Sequence, residues 1–281
     1  MRANLVALLL GATPVAAEPV RIDISAPHVV GVSGIEITDG GEGFIAVSDA
    51  GWFLEGTLTR EAGILSGAED TNVRPIIGQN GYPVRARRVA DWSDAEGLAL
   101  LPDGTMFVSF ERWARVSRYS TQTGPGGWIK DHVDFTTFAD NRELEAVAVD
   151  LDGVVYTMPE VETDPAGFPM YRLDSEGWVV ADHIPASEGF SLVGADFGPN
   201  GMMYILERKL VFATWWQSRV RRFDPATRQL KILWAPEADI FGNLEGISVW
   251  EAPDGLRATM VSDNNGTDGV ATEIVEMRLT E

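Results

Sequence analysis

The sequence predicts an all-β protein, a β-propeller in which five blades are favoured and six are the alternative. The first observation is a hairpin pattern that starts at residues 33, 96, 145, 193 and 245, so that successive starts lie 63, 49, 48 and 52 residues apart. The second is the spacing, which leaves room for four short strands in each repeat, as in propeller blades. The third is the lack of any linker that would mark a second domain.

Each hairpin has a glycine-containing turn between two apolar runs. The clearest copy runs from Glu96 to Glu111 and turns at Asp103-Gly104. Such dipeptides are the strongest local hairpin signals, because both turn residues must accept positive φ angles. The other turns are Gly40-Gly41, Asp152-Gly153, Asn200-Gly201 and Asp254-Gly255.

The rest of each repeat supplies two outer strands. In the last blade Ala271–Thr280 is the third strand, and only Val20–Ser25 remains to be the fourth. Pairing of the two chain ends would close the ring and remove an exposed sheet edge. A sixth blade requires that the Gly- and Pro-rich stretch Glu61–Asp91 hides a degenerate copy. The other predicted outer strands are Ala114–Ser120, Ile129–Phe135, Met170–Asp174, Trp178–Ile184, Arg219–Asp224 and Gln229–Trp234.

The first 17 residues have the pattern of an export signal. Arg2 precedes the apolar run Leu5–Ala12, and Val15-Ala16-Ala17 is a small-residue cleavage site. The run is too short to span a membrane, so no membrane insertion is expected. Cleavage after Ala17 leaves residues 18–281 as a single propeller domain in the periplasm or outside the cell. A disordered N-terminal tail is the alternative.

Composition excludes several functions. The chain has 22 Lys and Arg against 42 Asp and Glu, and this charge of −20 repels nucleic acid. It has no cysteine and only three histidines, which argues against zinc and other metals held by sulfur or imidazole. The negative charge favours cations. The expected partner is a small-molecule ester or anionic ligand that finds a basic patch or a bridging metal, and the chain is expected to be a monomer.

Acidic residues recur where the hairpin strands begin and end. Glu96 and Glu111 are equidistant from the turn at Asp103-Gly104, as are Glu145 and Glu160 from theirs, which predicts like charges opposite each other. That arrangement is destabilising unless something offsets it. Innermost strands line the channel of a propeller, so these acids should meet at one mouth. The predicted metal ligands are Asp49, Glu96, Glu111, Glu145, Glu160, Glu207, Glu245 and Asp263.

Oxygen ligands without His or Cys predict Ca²⁺, with another hard divalent cation as the alternative. Glu96 and Glu145 are the predicted catalytic carboxylates. Arg87, Arg112 and Arg208 are the predicted substrate-binding residues, because the guanidinium group binds phosphate or carboxylate at two points. The acids could instead cap strand ends in water, or form salt bridges with Arg112 and Arg208.

Several motifs together resemble a known family. They are Gly31-Val32-Ser33-Gly34-Ile35, Ala46-Val47-Ser48-Asp49, Asp94-Ala95-Glu96-Gly97-Leu98, Phe110-Glu111-Arg112, Leu144-Glu145-Ala146, Leu206-Glu207-Arg208, Asn243-Leu244-Glu245-Gly246-Ile247 and Val261-Ser262-Asp263-Asn264. The combination resembles the bacterial phytase-like family, described as having the esterase-like activity of phytase. The resemblance implies a β-propeller, export to the periplasm, and hydrolysis of phosphate or carboxylic esters.

These observations together predict an exported, metal-dependent ester hydrolase with its site at the mouth of the channel. Two alternatives stay open: a propeller that binds a cation or small anionic ligand without catalysis, and a lactonase-type hydrolase. No nucleophile elbow, P-loop or dinucleotide fingerprint points to other chemistry.

Overall fold

The computed structural model describes residues 20–22, 30–86, 93–138, 143–162, 165–267 and 270–280. The predicted signal segment 1–17 and Arg87 lie outside these ranges. No helix within them is long and apolar enough to cross a membrane.

The described residues form five four-stranded antiparallel sheets, and neighbouring innermost strands contact one another around a closed ring. The protein is therefore an all-β, five-bladed β-propeller, and the six-bladed alternative is wrong. Blade one contains β2 (Val32–Thr38), β3 (Gly43–Ser48), β4 (Trp52–Glu61) and β5 (Ile64–Pro75). The outermost strand of this blade thus takes Ile64–Pro75 from the stretch that could have held a sixth blade.

The other blades follow in chain order. Blade two has β6 (Ala95–Leu100), β7 (Met106–Phe110), β8 (Arg115–Tyr119) and β9 (Gly127–Trp128), and blade three has β10 (Leu144–Val149), β11 (Val155–Pro159), β12 (Phe168–Asp174) and β13 (Gly177–Ile184). Blade four has β14 (Ser191–Phe197), β15 (Met203–Val211), β16 (Trp215–Phe223) and β17 (Leu230–Trp234). Blade five has β18 (Asn243–Ala252), β19 (Gly255–Asp263), β20 (Thr272–Arg278) and, as its outermost strand, β1 (Val20–Ile22).

The chain ends close the ring as predicted. Val20 lies opposite Ile274 and Ile22 opposite Thr272 in the antiparallel pair of β1 and β20. The described part of this strand is shorter than the predicted Val20–Ser25.

The fourth strand of blade two differs from the prediction. Instead of a strand over Ile129–Phe135, β9 ends at Trp128 and Val133–Thr136 forms a 3-10 helix. The ring nitrogen Nδ1 of His132 accepts a hydrogen bond from the backbone N–H of Asp134 at 3.2 Å, which caps this helix. Phe135 is then buried with its ring centroid 5.1 Å from that of Tyr171.

Every innermost strand has a β-bulge near its start. The residues left out of the pairing ladder include Ser33, Glu96, Glu145, Val193 and Glu245, one in each blade. A bulge changes the register and the direction of its side chain. The Glu111 N–H donates to the Asp94 carbonyl at 2.9 Å, and the Glu160 N–H donates to the Glu143 carbonyl at 2.9 Å. The predicted opposition of Glu96 to Glu111 and of Glu145 to Glu160 is therefore wrong by two positions.

Close contact between neighbouring inner strands makes the ring narrow. A Cβ on Gly97, the residue after the Glu96 bulge, would lie 2.6 Å from the Glu145 carbonyl oxygen of the next blade. One on Gly246 would lie 2.5 Å from the Ser33 carbonyl oxygen, across the seam of the ring. The channel at this level encloses about 10 Å³, room for about one water molecule. Ligands larger than water therefore have to bind at its ends.

The hydrophobic core consists of clusters between neighbouring blades. Val47 and Phe53 of blade one pack with Val108 and Phe110 of blade two, and all four are fully buried. Equivalent clusters lie at the other four blade junctions. The core thus fixes the relative positions of the blades, and with them the mouth where the inner strands begin.

Candidate metal centre at the propeller mouth

Three positions in each blade lie at the mouth, where the inner strands begin. The first is the bulge residue, the second is the residue at or near the end of the second strand that pairs with the chain just before the bulge, and the third is this backbone partner. In blade order the second position holds Asp49, Glu111, Glu160, Arg208 and Asp263. The partners are Gly31, Asp94, Glu143, Ser191 and Asn243.

Blades two and three bring their carboxylates into one group. Oxygen atoms of Asp94, Glu96 and Glu111 all lie within 4.8 Å of one another, and the same holds for Glu111, Glu145 and Glu160. Glu111 belongs to both sets, so they form one group, which we call the acidic cluster: Asp94, Glu96, Glu111, Glu145 and Glu160. Four of its members are predicted ligands.

Burial makes the negative charge of the acidic cluster costly. Glu96, Glu111 and Glu145 are each less than 8 % exposed. Burial, followed by the charge of Glu145, raises the pKa of Glu96 well above its ordinary value. Burial and then the charge of Glu160 do the same for the pKa of Glu145, and burial and the charge of Asp94 raise the pKa of Glu111 to about 7. At neutral pH such a cluster must hold protons or a cation.

Blades five and one contribute the other predicted acids. Burial and the charge of Asp263 raise the pKa of Asp49 to about 8, and burial and the charge of Glu245 raise the pKa of Asp263 to about 6. The Asp49 carboxyl group lies over Gly31, where a Cβ would come within 2.3 Å of it. Among the described residues, its buried oxygen Oδ1 has no hydrogen-bond donor.

Arg208 is the cation among the five residues that hold the second of these positions. Its guanidinium group donates to Glu245 and, at 2.5 Å, to the amide oxygen of Asn243, and it lies 3.6 Å from Glu160. Burial lowers the pKa of Arg208, but attraction to Glu245, Glu145 and Glu160 outweighs burial and raises this pKa above its usual range. Arg208 therefore neutralises one side of the mouth and stays charged.

The structure places Glu207 away from the mouth carboxylates, which corrects the expectation for this residue. Glu207 is fully buried within blade four, where it lies opposite Arg219 on the neighbouring strand. One carboxylate oxygen accepts from Arg219 at 2.5 Å and the other accepts from Arg221. Arg208, not Glu207, takes the position equivalent to Glu111, because each of them pairs with the residue two positions before the bulge residue of its blade.

The predicted substrate-binding arginines are in different situations. Arg112 lies 3.1 Å from Asp94 with 43 % of its side chain exposed, at the edge of the acidic cluster. Arg208 is mostly buried in its contacts with carboxylates. Arg87 lies outside the described residues.

Sequence reasoning did not select Asp94, Glu143 and Asn243 as members of the site. A signal for them was present, because each stands two residues before a bulge glutamate, in Asp94-Ala95-Glu96, Glu143-Leu144-Glu145 and Asn243-Leu244-Glu245. The first residue of each triplet pairs with the end of the second strand, and recognising this pairing would have identified all three residues.

A pocket of about 360 Å³ opens beside blade five. Asn243, Asp263 and Asn264 line one part of it, and Trp216 of blade four lines another. The Arg208 guanidinium lies 5.0 Å from the centroid of the Trp216 ring. The pocket therefore joins the Arg208 side of the mouth and has the size of a small-molecule site.

Fold and mouth together define this protein as a five-bladed β-propeller with a carboxylate-rich site at one end. Its family follows from the sequence comparison. The phytase-like family model, described as the esterase-like activity of phytase, matches residues 27–266, so the chain belongs to this family. The resemblance carried by the sequence motifs is thereby confirmed. No curated protein matches the sequence.

Solved structures with a similar fold are distant in sequence. A bifunctional GH43-CE protein of Bacteroides eggerthii is 12 % identical, with a TM-score of 0.52 over 92 % of this chain and 34 % of its own. Virginiamycin B lyase from Staphylococcus aureus is 9 % identical, with a TM-score of 0.49 over 94 % and 99 % of the two chains. A gluconolactonase from Xanthomonas campestris is 12 % identical, with a TM-score of 0.47 over 89 % and 87 %. Such likeness concerns the fold alone.

Proposed function

We propose that this protein is an exported hydrolase of phosphate or carboxylic esters that depends on a hard divalent cation, with Ca²⁺ as the best fit. The observation that carries the proposal is the acidic cluster. Its oxygen atoms lie within 4.8 Å of one another in each set of three, and its buried members have raised pKa values.

The donor set fits Ca²⁺ in chemistry and in spacing. Ca²⁺ takes six to eight oxygen ligands at about 2.3–2.6 Å, so two ligands on opposite sides of the ion lie about 5 Å apart. Oxygens within 4.8 Å of one another can therefore share one ion after small side-chain adjustments. Asp94, Glu96 and Glu111 would hold an ion in one set, and Glu111, Glu145 and Glu160 in the other, and the charge of the ion would offset their mutual repulsion.

When bound, the cation would supply Lewis acidity toward the ester oxygen and lower the pKa of a water molecule. The protein side chains have separate roles. Glu96 and Glu145, whose pKa values are raised by burial and by neighbouring carboxylates, would be the carboxylates that accept and return a proton. Arg208 would orient an anionic group of the substrate in the adjoining pocket, and Arg112 would do so from the exposed edge.

The test begins with protein stripped with EDTA. We expect Ca²⁺ to bind in isothermal titration calorimetry, to raise the thermal midpoint, and to restore hydrolysis of p-nitrophenyl phosphate or p-nitrophenyl acetate. Glu96→Gln should weaken Ca²⁺ binding, whereas Glu176→Gln, a change of an exposed acid in a turn of blade three, should not. No Ca²⁺ binding together with no turnover would refute the proposal.

A non-catalytic binding protein is the second candidate. It is favoured by the contacts of Arg208 with Glu245, Asn243 and Glu160, which occupy the guanidinium before any substrate arrives. Tight Ca²⁺ binding with no turnover of phosphate esters, carboxylic esters or lactones would select it. Turnover of lactones alone would select the lactonase-type hydrolase.

The proposal includes export after cleavage at Ala17 and action as a monomer on a small molecule. N-terminal sequencing of the protein from the periplasm or culture medium should begin at Glu18. A mature protein that keeps Met1 would argue against export.

A further inference from the structure

A second pocket lies on the flank of blade two, outside the acidic cluster. It encloses about 110 Å³ between strand β8 and the loop that follows blade one. Trp113 and Trp128, which are 54 % and 67 % exposed, line it. Two exposed tryptophans at one pocket leave a large apolar area in contact with water, an arrangement typical of ligand sites.

The lining of this pocket also has polar residues. Arg115, Ser117 and Asp131 line it together with Tyr119. The Arg115 guanidinium lies 3.7 Å from the centroid of the Phe110 ring, and its Nη1 donates to the Trp113 carbonyl at 3.2 Å. These contacts fix the position of the donor groups before a ligand arrives. Arg115 and Asp131 have opposite charges, so the pocket has little net charge.

The loop that closes the pocket is attached to blade two. Ile77 forms a bridge with Pro125, and the Gly126 N–H donates to the Ile77 carbonyl at 2.9 Å. Gly78 and Val84 of the same loop line the pocket. The backbone at the rim is also held in an unusual conformation, since Arg112 and Trp113 have φ angles of 42° and 81°. The pocket therefore exists without a ligand-induced change.

We infer that this blade-two pocket binds one ring of an uncharged sugar. A pyranose ring has an apolar C–H face that suits Trp113 and Trp128, and hydroxyl groups that suit Arg115, Ser117 and Asp131. A purely apolar ring would leave the two charged groups desolvated without new hydrogen bonds, which is costly. An ion of either sign would meet one like charge. The pocket volume of about 110 Å³ is below that of a cavity of about 150 Å³ that holds benzene, so the pocket would take one face of a pyranose and leave the rest of the ring in water.

Saturation-transfer NMR and isothermal titration calorimetry with methyl glycosides of glucose, galactose and mannose test this inference. At least one glycoside should bind, and Trp128→Ala and Asp131→Asn should each weaken its affinity at least fivefold. Trp128 is mostly exposed, so its replacement should leave the thermal midpoint unchanged. Trp215→Ala is the matched control, because Trp215 is 45 % exposed in blade four and outside the pocket.

The experiment has to distinguish binding in this pocket from binding at the mouth. Binding of the glycoside should persist in EDTA and in Glu96→Gln, since no acidic-cluster residue lines the blade-two pocket. The inference is overturned if no glycoside binds, if indole binds in their place, or if Trp128→Ala leaves the affinity unchanged. Loss of glycoside binding in Glu96→Gln but not in Trp128→Ala would locate the sugar at the mouth and would likewise overturn it.

Discussion

Blade two and blade four present the same three backbone positions to the mouth with opposite electrostatic results. Blade two places Asp94, Glu96 and Glu111 there, and blade four places Ser191, Val193 and Arg208. Both blades have the bulge and the hairpin, so the backbone does not decide the charge. The comparison teaches that the propeller supplies positions, while single substitutions at them divide the mouth into an acidic side and a neutralised side.

The largest expected effect comes from removing the cation of blade four. Arg208→Met keeps the length of the side chain but leaves Glu245 and Glu160 without their guanidinium partner. Breaking a buried ion pair costs about 3–5 kcal/mol, so we expect a loss of this order in urea unfolding in EDTA. Added Ca²⁺ should recover part of it, because a cation can replace the lost charge. If Arg208→Met is as stable as the unchanged protein in EDTA, the division of the mouth into an acidic side and a neutralised side is wrong.

A change of opposite sign is expected on the acidic side. Glu96→Gln removes a buried carboxyl group that at neutral pH is either protonated at a cost or charged among other carboxylates, so the metal-free protein should become more stable by about 1 kcal/mol at neutral pH. The same variant should bind Ca²⁺ at least tenfold more weakly, which corresponds to about 1.4 kcal/mol. Urea unfolding in EDTA and calorimetric titration measure the two effects. If metal-free Glu96→Gln protein is less stable than the metal-free unchanged protein, repulsion among the carboxylates of the acidic cluster does not limit stability.

The pH dependence of stability tests the same crowding without mutation. The pKa values of Asp263, Glu111 and Asp49 are raised to about 6, 7 and 8, above the usual value of about 4 in an unfolded chain. The folded protein binds more protons than the unfolded one in this interval, so metal-free stability should fall as pH rises from about 4 to 8. Ca²⁺ should flatten this fall near neutral pH. Stability that rises over this range in EDTA would refute the assignment.

The smallest effect is expected at the exposed edge of the acidic side. Arg112→Ala breaks a pair with Asp94 in which the arginine side chain is 43 % exposed, so stability should change by less than about 1 kcal/mol. If Arg112 guides an anionic substrate, KM should rise more than kcat falls. An equal or larger fall in kcat would assign Arg112 to the reacting centre instead.

The overall fold followed from local signals in the sequence. Turn dipeptides such as Asp103-Gly104 identify hairpins, because a tight turn needs a residue that accepts a positive φ angle. Gly104 has a φ of 85°. The period of about 50 residues then predicted the number of blades. The one strand that was left to complete the last blade, at Val20, predicted that the two chain ends pair and close the ring. The predicted strand Ile129–Phe135 of blade two was wrong because the His132 side chain and the burial of Phe135 favoured a 3-10 turn over a strand.

The site was predicted less completely because it depends on register. Counting residues from the turn assumes an uninterrupted ladder, and each inner strand has a bulge that no turn signal reveals. The bulge left Asp94 out of the predicted site, whereas Glu207 was placed at the mouth by matching Leu206-Glu207-Arg208 to Phe110-Glu111-Arg112. The convergence of Glu96, Glu111, Glu145 and Glu160 was still predicted, because it needs only that these strand ends lie at the same end of the ring. Metal binding itself remains a prediction.

The pairing of β1 with β20 has a consequence for biogenesis. Residues 20–22 and 272–274 lie about 250 residues apart, so blade five cannot complete its sheet until residues 272–274 have been synthesised. Blades one to four each draw all four strands from one continuous stretch. Contacts distant in sequence form slowly, and domains emerge from the ribosome N-terminus first. The last event in the folding of the propeller should therefore be the docking of residues 20–22 onto residues 272–274.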